Sequence, residues 1–364
     1  MRKKKIKNIS MGIELETYSI LLPENRICRE LHFPRRSSVE KGEKFTRDLS
    51  IGSEYNSRVL TTLREALFLL KTGLRKYAKF RRNTKTDYHH IIFPIGGWID
   101  RFAGSHIHLA MGKRGIEFDE AGKLSSYLHS HIPFLIALCA NSPVWRRRLT
   151  THASSRLFLG SDKYCKITKP ETLNKTDYWE MIYNREGARK PQTLEVRVCD
   201  SSLPEYIAAA LCVCYAVALR WRRRQRPLNQ STYANYVKAR KQAVLYGSRA
   251  KLVWSNHWIT VPQYVDLIFR QYKEELKQMD LPHEVIDVFK YLKRGWNQSD
   301  IIRAAVMKYQ RKHKPTWQRQ FASRYVLAIE ALLDGNSVGH FAKSLGIMLP
   351  RINRTWLGRK ETNW

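Results

Sequence analysis

Gly12-Ile-Glu-Leu-Glu-Thr17, Gly104-Ser-His-Ile-His-Leu109 and Thr193-Leu-Glu-Val-Arg-Val198 each alternate polar and aliphatic residues. A β-strand turns successive side chains to opposite faces. Glu14 and Glu16 therefore share a side, as do His106 with His108 and Glu195 with Arg197. Ile13, Leu15, Ile107, Leu109, Leu194, Val196 and Val198 fall on the other side. The pattern predicts one sheet packed on a core behind, with carboxylates, imidazoles and a guanidinium in front. Such a face can hold divalent metal and phosphate. Taken singly, each pair has an ordinary structural explanation: a solvated polar strand, structural histidines, a cross-strand ion pair. Three such pairs on strands of matching polarity point to chemistry.

The composition supports a folded chain. Its 364 residues can bury a large core, and 43% are hydrophobic and 11% aromatic, which excludes a disordered polymer. Six cysteines, Cys28, Cys139, Cys165, Cys199, Cys212 and Cys214, show no paired metal-ligand spacing and read as reduced thiols of a cytoplasmic protein. Met1-Arg-Lys-Lys-Lys5 resembles the charged start of an export signal, but Glu14 and Glu16 interrupt the apolar segment that should follow. The longest apolar run, about Tyr206 to Trp221, is shorter than the roughly 18–20 residues of a membrane span and reads as a buried helix. No membrane partner is expected, and nothing bears on oligomeric state. Lys and Arg total 65 against 32 acidic residues, a formal charge of +33. Contact with phosphodiester backbones accounts for such an excess, which small-molecule catalysis does not need. A solubility or proteome-wide bias is the plain alternative, and the excess is spread over both halves of the chain.

Pro23 to about Arg47 is polar and basic and reads as an excursion or lid. Leu60 to Arg82 has helical apolar spacing, Asp119 to Ala140 reads as one long helix, and Thr150 to Lys190 as loop. From Arg220 the texture is helical, through Tyr233–Tyr246, Val261–Met279, Pro282–Arg294, Asp300–Arg311 and Trp317–Leu333. The division expected is a catalytic α+β portion over residues 1–315 and a helical tail over 316–364.

The order Gly-x-Glu-x-Glu, Gly-Ser-His-x-His and Leu-Glu-Val-Arg-x-x-Asp resembles the carboxylate–amine ligases related to glutamate–cysteine ligase type 2, distant relatives of glutamine synthetase. Ala140-Asn-Ser-Pro-Val-Trp145 and Ser154-Ser-Arg156 are similar to two further segments of that family, and Arg240 with Tyr246-Gly247 loosely to a third. The resemblance runs from about residue 11 to about 310. It implies an α+β fold in which a curved antiparallel sheet with flanking helices binds ATP and two or three Mg²⁺ or Mn²⁺ ions. It also implies a reaction in which a carboxylate, activated as an acyl phosphate, is joined to an amine. Carried across, Glu14, Glu16, Glu195 and His106 are metal ligands. His108 and Ser154 face the nucleotide, and Arg197 and Arg156 stabilise phosphate or substrate carboxylate. Glu54, in Gly52-Ser-Glu-Tyr-Asn56, is a candidate fourth carboxylate. No Walker-type glycine loop occurs, which excludes a P-loop enzyme. The basic charge departs from the family, and no residue identifies a cysteine pocket, so the carboxylate and amine stay unnamed.

The tail from Asn336 to Trp356 fits a helix–turn–helix. Ser337 caps one helix, Gly346 takes the turn, and Pro350 starts a second helix presenting Arg351 and Arg354. An ordinary helical hairpin capping the domain fits equally. The run Arg220-Trp-Arg-Arg-Arg224 offers Arg222, Arg223 and Arg224 to phosphate, or is a solvated helix end. Three functions follow in descending order: a small-molecule ligase, the same chemistry on a modified base of DNA or RNA, and a non-catalytic nucleic-acid-binding regulator on a ligase core.

Overall fold

Residues Ile9 to Leu22 form the longest strand described, β1, which pairs directly with four other strands of the main sheet. The computed structural model describes residues 9–22, 26–27, 33–34, 39–48, 51–82, 89–112, 115–170, 172–176, 178–185 and 191–353. After β1 come β2 (Arg26–Ile27), β3 (Lys44–Asp48), β4 (Gly52–Asn56), α1 (Leu63–Arg82), β5 (His89–Phe93) and β6 (Gly104–Met111). The chain continues through α2 (Phe118–His129), α3 (Ile132–Cys139), the hairpin β7 (Val144–Trp145) and β8 (Arg148–Leu149), α4 (Ser155–Leu159) and α5 (Ser161–Tyr164). Strands β9 (Met181–Asn184) and β10 (Thr193–Asp200) lead to α6 (Pro204–Arg222) and α7 (Tyr233–Tyr246). A second hairpin, β11 (Lys251–Trp254) and β12 (His257–Thr260), precedes α8 (Val261–Gln271), α9 (Lys273–Leu276), α10 (His283–Lys293), α11 (Gln298–Lys312), α12 (Trp317–Leu333) and α13 (Val338–Ser344).

The main sheet is antiparallel, in the order β3-β4-β1-β6-β10-β9, with β2 and β5 pairing the far half of β1. The expected α+β architecture is present. Ile13, Leu15, Ile107, Leu109, Leu194, Val196 and Val198 are all buried on one side. Behind them lie α2, α3 and α6, and α6 is buried at every position from Pro204 to Cys214. Its alanines let the helix sit close to the sheet, which explains an apolar run too short for a membrane. Among the described residues no helix is long and apolar enough to cross one. The five described cysteines are unpaired and buried; Cys28 lies outside the described residues.

Four expectations change. The stretch Thr150–Lys190, read as loop, carries α4, α5 and β9, because its short elements lack a run of periodicity to announce them. Val261–Met279 is two helices, α8 and α9, rather than one. The helix predicted over Asp119–Ala140 is two, because Pro133 has no N–H to give and its ring clashes with the carbonyl four residues back. In the tail, Ser337 does cap α13 by accepting from His340 N, and Gly346 turns with φ +79°. The second helix of the predicted helix–turn–helix does not start at Pro350: residues 347–353 are irregular. Ile347, Leu349 and Ile352 lie against the core instead, and Lys290 Nζ donates to the Asn353 carbonyl. This chain-to-core packing takes the place of helix formation. Helices beyond residue 315 join the core through Phe321, which stacks on Trp98, and Tyr325, whose hydroxyl donates to Pro94 O at 2.8 Å.

Candidate active site

The sheet register sets the polar residues in rows across the strands. Glu14 lies opposite Asn56 on one side and His106 on the other. One step along, His108 lies between Gly12 and Glu195. In the opposite direction Glu16 faces Glu54, and its carboxylate accepts from Gly104 N. Gly12 stands beside His108 in that row, where a Cβ would lie at an ordinary contact distance of 3.4 Å from the histidine's. Pairing thus brings together, from four strands, Glu14, Glu16, Glu54, His106, His108, Glu195 and Arg197.

The contacts are close. His106 Nδ1 is 3.3 Å from an oxygen of Glu14 and 3.3 Å from one of Glu195, and His108 Nε2 is 3.5 Å from Glu14. Thr193 Oγ1 lies 2.9 Å from His108 Nδ1 and orients that ring. Arg197 reaches Glu195 Oε1 at 2.5 Å, while Asn184 donates to Glu195 Oε2 at 2.7 Å. Burial alone pushes the Glu14 carboxyl up, but hydrogen bonds and charge from both histidines outweigh it and hold it well below the usual range. Glu195 is likewise pushed up by burial and pulled below its ordinary value by His108, His106 and Arg197. Glu54 goes the other way: burial, then the charge of Glu14, raise it, against a hydrogen bond from Asn56.

Two groups of donors on this face have the chemistry of a hard divalent cation site. Ligand atoms of Glu14, His108 and Glu195 lie within 4.8 Å of one another, as do those of Glu16, Asp48 and Glu54. The imidazole grouped with these carboxylates is thus that of His108, expected to face the nucleotide, rather than that of His106, expected to be the ligand. Asp48 was missed in the sequence. It sits on β3, and the pairing of Thr46 with Glu54 and Asp48 with Gly52 carries it to the carboxylate face. The alternation Lys44, Thr46, Asp48 was the available signal. Beside the first group opens a cavity of about 390 Å³, lined by Gly12, Glu14, Asn56, His108, Asn184 and Thr193. Lys44 also lines it and supplies positive charge that motif reading did not find, whereas Arg58 at the same wall is paired with Glu40 and Glu65 at 3.1 and 2.7 Å.

Other predicted residues go elsewhere. Ser154 caps α4 and donates to Asp200 Oδ1 at 3.0 Å, while Ser142 and Asn141 N donate to Oδ2 at 2.7 and 2.8 Å. Arg156 is buried and gives its guanidinium to the carbonyls of Cys199 and Arg197. It lies so close to Gly104 that a Cβ there would stand 2.5 Å from its NH2. These residues form a knot at the end of β10 rather than part of the open face. Of the basic run, Arg220 and Arg223 lean on buried Glu275, at 3.7 and 3.3 Å, and Trp221 packs on the core. Arg224 is exposed and Arg222 half-buried. Arg351 is exposed; Arg354 lies outside the described residues.

No protein-family model matches the chain. A protein of Paracoccus denitrificans described as "Putative glutamate–cysteine ligase 2" is 25% identical over 252 residues, 60% of this chain and 65% of that relative. The chain thus spans less than two thirds of that relative's length. Among solved structures, glutamate–cysteine ligase of Francisella tularensis in complex with AMP superposes with a TM-score of 0.55 at 13% identity, covering 93% of this chain and 92% of that one. The ligase PafA, in complex with the prokaryotic ubiquitin-like protein Pup, gives a TM-score of 0.57 at 12% identity, over 94% and 79%. The chain therefore has the glutamine synthetase-like fold of carboxylate–amine ligases and resembles glutamate–cysteine ligases in sequence.

Proposed function

We propose that the chain is an ATP-dependent ligase that joins a small carboxylate to an amine, releasing ADP and phosphate. The observation that carries this reading is the assembly of Glu14, Glu16, Glu54, Glu195, His106, His108 and Arg197 on one face of a sheet with this fold. Bound ATP and its Mg²⁺ or Mn²⁺ ions supply the phosphoryl group and the charge neutralisation by which a carboxylate becomes an acyl phosphate open to attack by an amine. The protein's part is positioning. Glu14, His108 and Glu195 hold one ion, and Glu16, Asp48 and Glu54 a second. Arg197 stands beside the first group with its guanidinium ready to balance charge on a transferred phosphoryl group. The histidines fix the Glu14 carboxylate in its ionised form across the working pH range. Lys44 draws an anionic substrate into the cavity, where Asn56, Asn184 and Thr193 offer hydrogen bonds. We take the reaction to be cytoplasmic, in keeping with five unpaired, buried cysteines.

The test is phosphate and ADP release across pairs of amino-acid carboxylates and amines with Mg²⁺ or Mn²⁺. ADP should appear only with metal and the right carboxylate. Glu195→Gln should lower turnover by about a hundredfold to a thousandfold with its melting temperature kept. Unchanged turnover in that variant sinks the site.

A further inference from the structure

We propose that the outer face of α7 together with the β11–β12 hairpin binds single-stranded nucleic acid, independently of the ligase reading. Residues 206–265 hold ten Lys and Arg and no Asp or Glu. Helix α7 buries Tyr236, Ala239, Arg240, Ala243 and Val244, which leaves Lys238, Lys241, Gln242 and Leu245 on the outward side at i, i+3, i+4 and i+7. In the hairpin, Val253 pairs with Trp258 and Lys251 with Thr260, so Lys251 and Trp258 share a face. The two elements meet in a surface cleft of about 530 Å³ lined by Lys238, Lys241, Tyr246, Lys251 and Trp258.

Two features separate this surface from ordinary basic exterior. Tyr246 is 49% exposed and Trp258 44%, two of the six aromatic residues that are exposed among the described residues. Lys238, Lys241 and Lys251 have no ion pair and no side-chain hydrogen bond among the described residues. Nearby Arg240, by contrast, is spent on Glu180, and Arg220 and Arg223 on Glu275. Unspent ammonium groups beside exposed ring faces suit a strand whose phosphates are neutralised while its bases stack. A duplex hides its base faces. An acidic peptide would use the lysines and leave the rings without a planar partner. The cleft shares no lining residue with the cavity beside Glu14 and His108.

Fluorescence anisotropy of a labelled oligothymidylate titrated with the full chain reads the binding. Trp258→Ala and Tyr246→Ala should each weaken it about tenfold; if the first fails to fold, the second, on another element, carries the test. Replacing Lys238, Lys241 and Lys251 together by Gln should flatten the log–log salt dependence by about two. The charge-matched control replaces Lys308, Lys312 and Lys343, which line the cleft between α11 and α13, by Gln and should weaken binding much less. Equal losses in both triple variants would mean diffuse attraction by net charge and overturn the proposal. So would polyglutamate competing as well as unlabelled oligothymidylate. Trp258-dependent self-association in sedimentation, without oligonucleotide binding, would overturn it too.

Discussion

On the sheet face four glutamates and Asp48 meet two imidazoles and Arg197, so anionic oxygens outnumber the positive groups fixed beside them. Around Asp200 the balance is reversed. One carboxylate accepts from Asn141 N, Ser142 and Ser154, and Arg156 beside it is spent on backbone carbonyls. Both clusters are polar, the first half-buried and the second fully buried, and both include residues of the motifs that carry the family resemblance. The first is left with acceptor capacity that a cation or a substrate can use. The second is closed on itself and pins the end of β10 to the Asn141-Ser-Pro143 turn and to α4. Concentration of polar residues therefore does not mark a reactive site; an excess of one sign does.

The contrast is broken most strongly at Asp200. Asp200→Ala strands three donors and leaves the Arg156 charge without its neighbour, and should cost about 3–5 kcal/mol of stability. The midpoint of urea unfolding measures it. Glu195→Gln in the same assay should move less, because the amide keeps the shape of the side chain and an oxygen acceptor for its Arg197 and Asn184 donors. Equal losses in the two variants would erase the distinction between face and knot.

Imidazoles offer the next test. His106 and His108 sit among carboxylates, but His131, at the junction of α2 and α3, sits between the Tyr264 and Tyr272 hydroxyls at 2.8 and 2.9 Å. A neutral ring has one donor and one acceptor nitrogen, which that pair of hydroxyls matches. Burial pushes the His131 value down to about 3 from 6.5. The unfolded chain therefore takes up a proton below pH 6.5 that the folded chain refuses until about pH 3. The His131 contribution is complete above pH 6.5 and is lost as pH falls toward 3. Between pH 7 and 4.5 the stability advantage over His131→Asn should shrink by about 2–3 kcal/mol. A constant difference between the two proteins would show that His131 takes up its proton in the fold as readily as in the unfolded chain.

The three strands of the face were legible because period-two alternation is local, and their pairing follows once each has one apolar side to bury. Glu54 was legible as a residue but not as the partner of Glu16, since register is set by the β3–β4 hairpin and by β1 together. Asp48 was hidden for the same reason, at the edge of a stretch read as an excursion. Arg156 shows the opposite failure. Its motif was plain, but whether a guanidinium turns outward or under a strand depends on tertiary neighbours such as Gly104. The β11–β12 hairpin escaped because Ser255 and Asn256 take its positive φ values without a glycine to announce the turn.

Glu54 gives the finest test of the face. Burial and then the Glu14 charge raise its carboxyl above the ordinary value. As pH rises through that interval the unfolded chain loses its proton first, so stability falls. Glu54→Gln removes the penalty and keeps an oxygen for the Asn56 amide, which donates to Glu54 at 2.5 Å. Without divalent metal the variant should be about 1 kcal/mol more stable than the parent at pH 7, and adding Mg²⁺ should stabilise the parent more than the variant. Gain without the ion and relative loss with it is the mark of a carboxylate held for a ligand. If the substitution destabilises the metal-free protein instead, Glu54 belongs with Asp200 as scaffold, and the second cation site shrinks to Glu16 and Asp48.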